Sequence, residues 1–192
     1  MDPLSLADRA ALLGIARGAV RHHLGLGPAP ALPGSGPLSA PRGAFVTLHV
    51  GGALRGCIGS FQPKGTLAGT VASVAVSAAS EDPRFPPVRA EEADELGYHV
   101  SALGACTPMR DPSELVIGRH GLLVKKGWHR GTLLPVVALE RGWDATTFLR
   151  HACLKAGLPP DAWRDPEATV ELFGAEEFGD GVERDPVLGN PP

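Results

Sequence analysis

Two extended runs divided by a pair of glycines constrain this chain more than any other feature. Ala44-Phe45-Val46-Thr47-Leu48-His49-Val50 is β-branched and aromatic, Gly51-Gly52 follows, and 53–60 continues extended. Gly-Gly between such runs predicts a tight hairpin, because both central turn positions need positive φ. A two-residue turn would set Val46 opposite Cys57 and Leu48 opposite Arg55.

The other elements follow in no strict β–α alternation. Ser5 is placed to cap a helix, with Asp8 three residues later near the positive end of its dipole. Leu6, Leu12, Leu13, Ala16, Val20 and Leu24 give that helix an apolar stripe. Five prolines make 25–42 a surface loop. Residues 66–80 read as a second helix, with Leu67, Val71, Val74, Ala75 and Ala78 on one side and small residues that imply close packing. Asp82-Pro83-Arg84-Phe85-Pro86-Pro87 stops it. A strand is expected at 97–103, and a second hairpin from 122–125 and 132–139 around a turn at 127–131. Asp144 opens a helix that Gly157 closes, 168–173 is a last strand, and 185–192 reads as a frayed tail. Recurrent hairpins mixed with helices favour an α+β class with mixed or antiparallel sheets over a doubly wound parallel sheet.

Composition removes several functions. Formal charge is −3, from 18 basic and 21 acidic residues, and no basic stripe is available to displace counterions from duplex phosphates. The longest basic cluster, Lys125-Lys126 with His129-Arg130, reads as a solvated hairpin tip, so nucleic acid is disfavoured as a partner. Cys57, Cys106 and Cys153 are too few and too widely spaced for a disulfide framework or a thiolate metal site. No apolar run reaches the roughly 18 residues of a membrane span. Met1-Asp2-Pro3-Leu4-Ser5 lacks the basic start of a secretory signal, and the expected compartment is the reduced cytoplasm. Zinc-protease, phosphate-loop and nucleophile-elbow motifs are missing. No metal or cofactor is implied.

Leu54-Arg55-Gly56-Cys57-Ile58-Gly59, preceded by Phe45-Val46-Thr47-Leu48, resembles the hallmark of the AMMECR domain family, the AmmeMemoRadiSam system protein A. Further matches follow in order: Asp82-Pro83-Arg84-Phe85, His120-Gly121-Leu122, Leu133-Leu134-Pro135, Trp143-Asp144, Phe148-Leu149 and Lys155-Ala156-Gly157-Leu158. The family usually continues Leu-Leu-Pro with Gln-Val, whereas Val136 stands here. The resemblance implies an α+β domain over 1–184 built from two intertwined subdomains, with the hexapeptide near the groove between them. It also implies Memo-like and radical SAM partners. It assigns no activity.

Strand alternation sends Arg55 and Cys57 to one face and Leu54, Gly56 and Ile58 to the other. A guanidinium nearby favours a thiolate, so the functional reading makes Cys57 a nucleophile or soft ligand, Arg55 an anion clamp and His120 a base. The opposing reading makes Cys57 a small packed residue against apolar neighbours. Gly56 and Gly59 suggest close backbone approach or a bulge, either near a ligand or for packing. Asp82 and Arg84 either clasp a loop or line the same groove. His49 and His99 read as half-buried strand positions, and His22-His23 as poor co-ligands. Two functions remain: an enzyme or enzyme subunit of the Memo- and radical-SAM-associated modification pathway, or a non-catalytic protein that docks those partners.

Overall fold

The structure, a computed structural model, describes residues 3–61 and 65–180; the expected tail lies outside the described residues. In chain order the elements are α1 (Leu6–His23), β1 (Ala44–Val50), β2 (Ala53–Ser60), α2 (Leu67–Ser80), β3 (Leu96–Leu103), β4 (Thr107–Pro108), β5 (Gly121–Lys126), β6 (His129–Leu133), α3 (Pro135–Arg141), α4 (Ala145–Lys155), β7 (Thr169–Phe173) and β8 (Ala175–Gly179). They build two four-stranded sheets, ordered β2-β1-β3-β8 and β4-β7-β5-β6. β1 pairs antiparallel with β2 and β3, and β7 with β4 and β5. The fold is α+β. Of the described residues, 3–103 with 176–180 form one compact unit and 104–175 a second.

The first unit starts as its sequence dictates. The Ser5 hydroxyl accepts the Asp8 N–H, and the Asp8 carboxylate accepts the Ser5 N–H in return, a reciprocal cap that satisfies two otherwise orphaned donors. Gly14 lies exposed inside this helix with nothing near the position of a Cβ. Gly14→Ala is therefore expected to stabilise the protein by up to about 1 kcal/mol, read as a raised urea midpoint. The loop 25–42 carries one short turn of 3-10 helix, Pro37–Ser39. It ends on Arg42, which is buried: its guanidinium donates to the carbonyls of Leu103 and Ala102 and pairs with Glu176.

Alternation then divides the first sheet into two unlike faces. Val46 and Leu48 of β1 and Tyr98 and Val100 of β3 are buried in one core with Leu12, Ala16 and Val20 of α1 and Leu67, Val71 and Ala75 of α2. Both α-helices of this unit thus cover the same face. The intervening residues, Phe45, Thr47 and His49 on β1 and Gly97 and His99 on β3, are half-buried on the opposite face. As the sequence implied, His49 and His99 occupy half-buried strand positions.

In the second unit, Leu122, Val124, Leu133, Phe148, Leu149, Ala152 and Leu172 share a core. Asp144 caps α4 by accepting the Thr147 N–H, and Gly157 closes it at φ 72°. Two expectations need correction here. Residues 132–139 are not one strand: β6 ends at Leu133 and Pro135 opens α3, because proline cannot donate to a ladder and fits the first helical turn. The turn is also tighter than expected, since Lys126 pairs with His129 and leaves only Gly127-Trp128 between them. Lys125 and Lys126 do not form a bare basic tip; they pair with Glu171 and with Asp165.

Candidate functional site

The hexapeptide lies on β2, an edge strand of the first sheet. Gly51 and Gly52 turn the hairpin at φ 57° and 82°. The register differs from the simple expectation. His49 pairs with Leu54, but Leu48 pairs with Gly56, so Arg55 is an extra residue bulged out of the ladder. Beyond the bulge, Val46 pairs with Ile58 and Thr47, not Val46, pairs with Cys57. One bulged residue shifts every cross-strand neighbour beyond it.

That shift changes what surrounds the sulfur. Leu48 and Val46 face the helices, and their partners Gly56 and Ile58 face them too: Ile58 packs on the first core, and a Cβ on Gly56 would lie 2.1 Å from the Ala78 carbonyl oxygen of α2. Cys57 therefore faces away from the core beside Thr47, whose hydroxyl lies 3.3 Å from Sγ and donates to it. Cys57 is half-buried, not a residue of the core. On the same face the Phe45 ring covers Gly59 and meets Phe61 edge-on at 5.3 Å. Gly56 and Gly59 thus serve close packing on opposite faces.

The main chain of Cys57 is held from the outer edge. Its N–H donates to Asp82 Oδ2 at 2.8 Å, and its carbonyl accepts from Arg84 Nη2 at 3.5 Å. The Asp82 carboxylate, 5% exposed, accepts the Arg84 N–H and both Nε and Nη2 of its guanidinium. The Arg84 side chain first, then the backbone N–H groups of Cys57 and Arg84, hold this carboxyl far below the usual carboxylate range despite burial. A side-chain clasp here replaces the neighbour that an edge strand lacks.

Arg55 is held as firmly. Nε and Nη2 form a fork on the two Glu92 oxygens at 2.9 and 3.2 Å, while Nη1 and Nη2 donate to the carbonyls of Pro86 and Pro87. The fork, aided by the Arg89 N–H, lowers Glu92 from 4.5 to about 2. An anion arriving at Arg55 would compete with a carboxylate already in place.

The model of the AMMECR1 family matches residues 13–178. This chain belongs to the AMMECR1 family. A relative from Methanothermobacter thermautotrophicus is 45% identical over 184 residues, covering 92% of this chain and 96% of its own. Another, from Thermococcus gammatolerans, is 47% identical over 78% of each chain. The crystal structure of an uncharacterised Pyrococcus horikoshii protein superposes with a TM-score of 0.80 at 39% identity, over 94% of this chain and 95% of that one.

In this AMMECR1 chain Arg55, Gly56, Cys57, Gly59, Asp82 and Arg84 all belong to the first unit. His120 belongs to the second, ahead of β5, where its Nδ1 accepts the Val116 N–H at 3.2 Å. The other thiols differ from Cys57. Cys153 is buried in the second core, and burial pushes its thiol up. Partial desolvation and the Glu171 carboxylate push Cys106 up. Among the described residues no group of three or more His, Cys, Asp or Glu is arranged to hold a metal ion, and no helix is long and apolar enough to cross a membrane. Sequence reasoning missed Thr47 as the neighbour of Cys57, and His99 as the residue paired with Thr47 from the other side. Only the pairing of three strands reveals them, and the alternation of β1 was the one available hint.

Proposed function

We propose that this AMMECR1 chain is an enzyme or enzyme subunit whose Cys57 thiol acts from the face of the first sheet opposite α1 and α2. The pathway is the Memo- and radical-SAM-associated modification system that its family resemblance implies. The observation that supports this reading is the position of Sγ: half-buried, turned from the core, and in contact with a hydroxyl donor. A sulfur placed for packing would face hydrocarbon instead. Arg55, Asp82 and Arg84 hold the strand and its main chain in place, so the chemistry falls to Cys57.

Iodoacetamide near pH 6.5, with the labelled cysteine mapped by mass spectrometry, tests it. Cys57 is expected to react ahead of Cys106 and Cys153, since both of those thiols are pushed up and only the thiolate alkylates. The internal engagement of Arg55, Asp82 and Arg84 favours a second reading, a non-catalytic chain docking Memo-like or radical SAM partners through this strand. If Cys57 stays unlabelled until denaturant is added, the thiol reading fails. Retention of a co-expressed Memo-like protein by both wild type and Cys57→Ala then becomes the supporting result for docking.

A further inference from the structure

On the face of the first sheet opposite α1 and α2, three chemically active side chains stand in one row. Thr47 pairs with Cys57 on one side and with His99 on the other. Directly opposed residues in an antiparallel sheet carry Cβ atoms about 5 Å apart. Cys57 and His99 are two strands apart, about 10 Å between backbones, with Thr47 between them. The Thr47 hydroxyl donates to Sγ, and its oxygen can accept a second bond as a proton moves.

We propose that Thr47 and His99 are positioning residues that ready Cys57 for reaction, by relaying its proton through the Thr47 hydroxyl to the His99 imidazole. The proposal rests on the reading of Cys57 as a working thiol. The S–H proton passes to the Thr47 oxygen as the Thr47 hydroxyl proton passes to the imidazole. This leaves a thiolate on Cys57, an intact hydroxyl on Thr47 and an imidazolium at His99. In the product state the hydroxyl donates to sulfur, which is the direction of the bond observed. Imidazole is suited to the role because it exchanges protons near neutral pH.

The surroundings fit a proton acceptor. A pocket of about 340 Å³, lined by His49, Gly51, Gly52, Gly97, His99 and Asp180 among others, opens beside His99 and gives the imidazole a route to solvent. Glu95 lines the same pocket. Asp180, another residue of this lining, pairs with Arg17. Glu177 of β8 falls on the same face by alternation, and His49 is the diagonal neighbour of His99. On the thiol side, Arg84 with Asp82 and Arg55 with Glu92 flank Cys57 from the outer edge.

The test is the pH–rate profile of Cys57 alkylation by iodoacetamide in wild type, Thr47→Val, Thr47→Ser and His99→Gln, with folding checked by circular dichroism. Thr47→Val and His99→Gln are each expected to slow labelling about tenfold at pH 6.5, an effect typical of removing a base from a thiol. Thr47→Ser, which keeps the hydroxyl, restores the wild-type rate. Above about pH 9 a cysteine ionises without help, and there the folded variants converge. A deficit that is the same at every pH would mean lost access and would overturn the relay. Unchanged profiles in Thr47→Val and His99→Gln, with fast wild-type labelling, overturn the relay and leave Cys57 as the reactive thiol. Slow labelling of wild-type Cys57 at every pH overturns both.

Discussion

Replacing Gly56 by alanine is expected to destabilise the first unit by about 3 kcal/mol or more, the upper end of the cost of overfilling a packed site. The added carbon would lie 2.1 Å from the Ala78 carbonyl oxygen and 3.1 Å from its carbon. Both are backbone atoms of a helix and cannot swing aside. The contact also belongs to the bonding of the helix end. Near the C-terminus of α2, Ser77 O accepts from Glu81 N and Ala79 O from Val88 N, while the second Hα of Gly56 points at Ala78 O. Gly59→Ala offers the internal comparison. Its added carbon would meet the Phe45 ring, which is half-buried and able to turn, so a smaller loss of about 1 kcal/mol is expected. All three tryptophans and their fluorescence belong to the second unit. Hydrogen exchange of the β1–β2 amides is therefore the suitable measurement, and unchanged protection in Gly56→Ala would disprove the close strand–helix contact.

The same glycine marks how far the sequence could be read. The hairpin, the α1 cap, the small-residue character of α2 and the glycine closing α4 each follow from local rules, and each stands where those rules placed it. Local rules failed where a decision depended on a distant partner. The bulge at Arg55 exists because Glu92 and the carbonyls of Pro86 and Pro87 capture its guanidinium, and nothing within the hexapeptide announces that capture. Once Arg55 leaves the ladder, Cys57 gains Thr47 as its neighbour instead of a valine. Alternation past the bulge still sets Cys57 on the face opposite Gly56 and Ile58, and the structure puts those two against the core. The pairing of β1 with β3, which brings His99 alongside, spans about fifty residues and has no signature in one sequence. The family resemblance supplied the motif; pairing supplied the neighbours.

Removal of the Asp82 carboxylate is expected to be the other large perturbation. Asp82→Ala deletes the acceptor of the Cys57 N–H and the anchor of Arg84, and an unsatisfied amide with a lost charged hydrogen bond costs about 3 kcal/mol. Arg84 is itself half-exposed and can return to water, which keeps the loss below that of a fully buried pair. Asp82→Asn keeps an acceptor but loses the charge, and about half that cost is expected. The sign of the pH dependence follows from where protons bind. Both Asp82 and Glu92 hold carboxyls lowered in the folded chain, Glu92 from 4.5 to about 2 and Asp82 further. Below about pH 5 the unfolded chain then takes up protons that the folded chain refuses. Their contribution is complete above that pH and is lost as the pH falls toward 2. Urea midpoints measured from pH 7 to pH 2.5 are expected to drop in wild type, and to drop less in Asp82→Asn and in Glu92→Gln. A slope in Asp82→Asn equal to that of wild type would mean the carboxylate is not ionised in the clasp. The clasp also fixes the strand that carries the sulfur, so Asp82→Asn is expected to change the alkylation rate of Cys57 while leaving that of Cys106 in the second unit unaltered.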